Sequence, residues 1–200
     1  MPVETALDIA NMLPATFTVP GLTEAQFVQL CQEFPDARVE YTAGGEVVIM
    51  PGTDFESGER GGEIVAQLRN WVREGGGGRF CGPEGSFLFP DGSRRSPDAA
   101  WCESARWEAA KRPDTRFPVF VPDFVIELRS PEQRAGTLRE KMKEYIANGV
   151  RLGWLIDPID RSVTIYRPSR DPEVLSNPSS VSGEGTITGF VLQLEPIFRS

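Results

Sequence analysis

Apolar residues recur along the chain in two rhythms. In "LTEAQFVQLCQEF" (22–34), Phe27, Leu30, Cys31 and Phe34 share one face at helical spacing, behind Thr23 and Gln26 in a capping-box arrangement. "ARVEYTAGGEVVIMP" (37–51) alternates on both sides of "AGG", the pattern of a hairpin. Helical spacing returns in 58–78, with Ile64, Val65, Leu68, Trp71 and Val72 on one face and the glycine run 75–78 as its stop. Short strands are predicted at 79–82, 85–90 and 96–103, the last two separated by the turn "PDGS". Residues 104–118, rich in charge and proline, read as a surface loop.

The second half repeats the grammar with a stronger apolar signal. "VPDFVIELRSP" (121–131) reads as a central strand. Thr137 and Glu140 have capping-box spacing ahead of a helix over 138–148, and Gly149 suits its end. "RLGWLIDP" is the next strand, and "RSVTIYRP" pairs with it across "PID". Strand, helix and strand make a βαβ unit with two parallel neighbours. The tail reads as turns and short strands. The expected architecture is α/β (α+β), a mixed sheet flanked by helices with an N-terminal helix and hairpin. Residues 1–21 are expected to be an extension and 22–197 a single domain.

Composition narrows the chemistry. The 200 residues carry a net charge of −8, which disfavours a broad basic face for nucleic acid but leaves room for a local one. No apolar run approaches the roughly 20 residues that span a bilayer. The N-terminus has no basic n-region, so no signal peptide is expected and the location is expected to be cytoplasmic. Cys31, Cys81 and Cys102 are widely spaced thiols, not a disulfide frame. Histidine is absent, which excludes Ser–His and Cys–His catalysis. Any metal must then take oxygen ligands, as Mg²⁺, Mn²⁺ or Ca²⁺ do. The glycine clusters fit neither a P-loop nor a strand-led GxGxxG, so no nucleotide cofactor is expected.

Within 121–131 the alternation puts Asp123, Val125, Glu127 and Arg129 on one face and Phe124, Ile126 and Leu128 on the other. Unpaired carboxylates in an apolar strand are costly. Two uses are open: an ion pair with Arg129, or a metal. "RRSPDAAW" supplies Asp98 at the head of another strand, either a capping acid or a partner for Glu127. Those two carboxylates with the Leu128 carbonyl and waters would suit Mg²⁺. Glu40 is either a third acid or a solvated strand residue. Lys141, one turn into its helix, either reaches back to the acids or stays in solvent. Arg94 and Arg95, with Arg129, Arg134 and Arg139, form either a basic rim for phosphates or solvated surface.

Taken in order, these segments resemble the bacterial Uma-two family of restriction-endonuclease-like proteins, within the PD-(D/E)XK nuclease superfamily. The likeness runs from about residue 22 to 197. It implies a divalent-metal site using Mg²⁺ or Mn²⁺, DNA as substrate and a homodimer. Asp98 matches the motif aspartate, Glu127 the (D/E), Glu40 the hairpin glutamate and Asp123 a second "PD". Arg129 occupies the strand-lysine slot, and Lys141 of "EK..EY" is implied to stand in for it. Gly61 stands where the family commonly has a histidine. The reading is a metal-dependent endodeoxyribonuclease; its rival is a catalytically inactive nuclease-fold domain serving as an interaction or regulatory module.

Overall fold

The computed structural model describes residues 13–113, 115 and 117–199. The N-terminal part builds an antiparallel layer from β1 (Ala15–Thr18), β2 (Arg38–Tyr41) and β3 (Glu46–Met50), with α1 (Glu24–Glu33) packed on it. The Thr23–Gln26 capping box forms as expected. Phe27 of α1 seals a small core over Val39, Tyr41, Val47 and Ile49. Of the predicted extension 1–21, residues 1–12 lie outside the described residues, and 15–18 pair with β3 as an edge strand.

α2 (Phe55–Trp71) starts earlier than its apolar periodicity suggested, because Asp54 caps it by accepting from the Ser57 N–H at 2.9 Å. The helix ends in a widened turn at Val72–Gly76. Gly78, with φ +78°, passes against Trp101 so closely that a Cβ there would lie 2.2 Å from the indole nitrogen. That nitrogen donates to the Gly77 carbonyl at 2.9 Å. The glycine run is thus a helix stop and a close passage beneath an indole.

β4 (Arg79–Cys81), β5 (Phe87–Leu88), β6 (Arg94–Arg95) and β7 (Ala99–Cys102) follow. α3 (Ser104–Ala110) then replaces the predicted 104–118 loop over its first half. β8 (Phe124–Leu128), α4 (Ala135–Ala147) and β9 (Leu152–Asp157) form the expected βαβ unit, with β8 and β9 parallel. α4 begins at Ala135 with Arg134 as an N-cap that makes no side-chain bond, so Thr137 lies inside the helix and caps nothing. Gly149, at φ +103°, supplies the left-handed turn that ends it.

β10 (Ser162–Tyr166), β11 (Glu173–Ser176), β12 (Ser180–Ser182), β13 (Val191–Gln193) and α5 (Glu195–Phe198) complete the chain. The central sheet runs β11-β10-β9-β8-β7-β4, and a second sheet runs β1-β3-β2-β6-β5. One face of the central sheet buries Phe124, Ile126 and Trp154 under α2 and the C-terminal segment around Phe190. Val125 and Leu155 face Leu138, Met142 and Tyr145 of α4. Among the described residues no helix is long and apolar enough to cross a membrane.

Candidate active site

The alternation of β8 decides where Glu127 goes. Its neighbours Ile126 and Leu128 enter the α2-side core, so the carboxylate emerges beneath α4 and is 1% exposed. On that helix Lys141 and Tyr145 are four residues apart and therefore share a face. Both reach Glu127 Oε1: the Tyr145 hydroxyl donates at 2.7 Å and Lys141 Nζ lies at 2.8 Å.

The same ammonium donates to Glu40 Oε1 at 2.8 Å. Glu40, on β2, is 2% exposed and fully engaged. It accepts from the Ser96 N–H at 3.0 Å and from Arg95 Nη1 at 3.1 Å, while Arg95 Nε donates to Glu144 of α4 at 2.8 Å. A charge network thus fastens β2 and β6 to α4 and β8. Opening one pair of such a network costs about 3–5 kcal/mol, because the remaining charge stays buried.

Asp98 precedes β7. The β7–β8 ladder pairs Ala99 with Ile126 and Ala100 with Val125, so one further step sets Asp98 opposite Glu127. Asp98 Oδ2 accepts from the Leu128 N–H at 2.8 Å and Oδ1 from Arg38 Nη1 at 3.0 Å. Asp98, Leu128, Ser96 and Arg38 line a cleft of about 1300 Å³ between the two sheets and α2. Glu127, Glu40 and Lys141 are packed behind that lining.

The electrostatics follow from this placement. Burial, with the charges of Asp98 and Glu40, pushes the Glu127 carboxyl up to about 7 against the pull of Lys141. Glu40 goes the other way: despite its burial, Lys141, Arg95 and the Ser96 N–H hold it below the usual carboxylate range. Lys141 is held above its ordinary value by Glu127 and Glu40, which outweigh its burial. Of the two carboxylates sharing the ammonium, Glu127 carries the unbalanced charge.

Among the described residues no three acids or cysteines converge into a closed metal cage. The residues that could hold an ion are Asp98, Glu127 opposite it on the ladder, and the adjoining Leu128 main chain. That set suits a small hard cation that keeps most of its waters and needs only one or two carboxylates.

Other sequence candidates lie elsewhere. Asp123 is fully buried and bound by the Glu103 N–H, Arg106 and Arg151, a structural cluster at the opposite end of β8. Arg129 pairs with neither Glu127 nor Asp123; its Nη1 meets Asp157 Oδ2 at 2.7 Å. Arg94 and Arg95 do not form an open rim: as β6 they lie within the second sheet, Arg95 held by Glu40 and Glu144, and they are 6% and 7% exposed. Arg94 lies over the Phe27 and Phe117 rings. Arg134 is exposed at the head of α4. Sequence reasoning missed Arg38, Glu144 and Tyr145. The spacing of Lys141, Glu144 and Tyr145 on one helix was the available signal for two of them.

The chain has relatives. Residues 24–195 match the Uma2 (Uma-two) family, described as "Putative restriction endonuclease", and the chain belongs to that family. A solved structure from Anabaena variabilis ATCC 29413, titled a putative nuclease belonging to DUF820, superposes with a TM-score of 0.69 at 23% identity. The match covers 80% of this chain and 89% of that one, and it shows a shared fold. No curated protein matches the chain.

Proposed function

We propose that this chain is a divalent-metal-dependent endonuclease that hydrolyses phosphodiester bonds in DNA. The observation that carries the reading is Lys141, whose ammonium lies 2.8 Å from both Glu127 and Glu40 while Asp98 faces Glu127 across the ladder. Membership of a family described as restriction endonucleases supports it. Asp98 and Glu127, with the Leu128 carbonyl, would hold the ion. A bound Mg²⁺ or Mn²⁺ supplies a water acidic enough to attack and neutralises charge on the phosphate.

The remaining tasks fall to the protein. Lys141 stays protonated and spends two of its three N–H groups on carboxylates, which leaves the third for the attacking water or a phosphate oxygen admitted past the cleft lining. Glu40 is a positioning residue, anchored by Arg95 and Ser96 so that it can hold the lysine. Tyr145 fixes one oxygen of Glu127. Ser130 and Gln133 extend the cleft wall beyond Leu128, with Arg134 next along the chain as an exposed phosphate contact.

Nicking of supercoiled plasmid in Mn²⁺ tests the proposal: the parent nicks and Glu127→Gln does not. An equal rate for the two proteins removes the assignment. One observation favours a scaffold role instead, namely that both oxygens of Asp98 and of Glu40 already have protein donors. Absence of both Mn²⁺ binding at millimolar concentration and nicking would select that reading.

A further inference from the structure

Arg38 belongs to no feature assigned so far. It sits on β2 two residues before Glu40, so the two side chains share a face of the strand. Its Nη1 donates to Asp98 Oδ1 at 3.0 Å, and its side chain, 27% exposed, lines the cleft. Among the described residues this is the side chain's one hydrogen bond, so most of a five-donor fork is uncommitted.

Lys141 and Arg95 are locked inside the network, each by two carboxylates. Arg38 alone of the three holds a single acid oxygen from the solvent side. A guanidinium fork matches a phosphate as well as it matches a carboxylate. A cation shared by Asp98 and Glu127 would repel the guanidinium at short range, and the cleft is where a phosphodiester must enter to reach those acids.

Building on the nuclease reading above, we propose that Arg38 is a placeholder cation: it neutralises Asp98 in the metal-free protein and, once that carboxylate is taken by the metal, grips a non-bridging oxygen of the substrate phosphate. Two opposite effects follow from removing it. Metal binding strengthens, because a competing charge has gone, while DNA binding weakens. A residue that merely oriented Asp98 would weaken metal binding when lost.

The test compares the parent, Arg38→Gln and Arg38→Lys by Mn²⁺ calorimetry without DNA, and by binding of a short duplex in Ca²⁺ across a salt series. For R38Q the Mn²⁺ dissociation constant should fall by about tenfold, and the log–log salt slope of DNA binding should shrink by about 1. R38K, which keeps the charge without the fork, should bind Mn²⁺ within about twofold of the parent and recover part of the DNA affinity. Weaker Mn²⁺ binding by R38Q, or an unchanged salt slope, overturns the placeholder role while leaving the metal site standing. Absence of Mn²⁺ binding in the parent overturns both.

Discussion

Glu127 should be a residue whose function works against stability. Its carboxyl has an ordinary value of 4.5, and burial beside Asp98 and Glu40 carries it to about 7 in the folded chain. Between those values the folded state holds a proton that the unfolded state has released, so stability is fullest below about 4.5 and declines as pH rises through 7. At about 1.36 kcal/mol per pK unit, the decline is about 3 kcal/mol. Glu127→Gln mimics the neutral acid and retains an oxygen for Tyr145 and Lys141. In urea titrations with EDTA, E127Q and the parent should agree within about 0.5 kcal/mol at pH 4. At pH 8.5 the variant should be the more stable by about 3 kcal/mol. Added Mn²⁺ should then stabilise the parent alone, by mass action. Parallel pH–stability curves, or a variant weaker at pH 8.5, would refute the reasoning.

Three further outcomes test other parts of the structure. Lys141→Met strands Glu40 and Glu127 without their shared cation; urea unfolding at pH 8 should show a loss of about 3–5 kcal/mol, and plasmid nicking should disappear. Asp123→Asn breaks the cluster with Arg106 and Arg151 and should cost a similar amount, about 3 kcal/mol, yet leave Mn²⁺ affinity by calorimetry unchanged. Gly78→Ala drives a Cβ into the Trp101 indole at a positive φ and should lower thermal stability by about 2–3 kcal/mol, with a shift in tryptophan fluorescence.

The parts of this fold written in local pattern were readable. The alternation of 121–129 located β8 and its two faces, and the helical stripe of 138–148 located α4, because one strong periodicity governs each. The failures came where distant chain decides the environment. "DGSRRS" has the composition of an exposed turn, yet β6 pairs with β2, which buries both arginines. The residues 104–110 lack an apolar stripe because α3 buries none of its residues, so nothing in the periodicity marked a helix. Asp123 and Glu127 look alike on the strand, but Arg106 of α3 claims one and α4 the other. The meeting of Glu40 with Lys141 spans 101 residues, and in the sequence it was signalled by family resemblance alone. Arg38 carried no local mark, since a single arginine in an alternating hairpin reads as a solvated residue.

Calorimetric titration of Mn²⁺ into the parent, Asp98→Asn, Glu127→Gln and Asp123→Asn proteins bears most directly on the shared-cation site. One ion per chain should bind the parent and D123N with equal affinity and should be lost from D98N and E127Q. Undiminished binding in either of the latter, or none in the parent at millimolar metal, would contradict it.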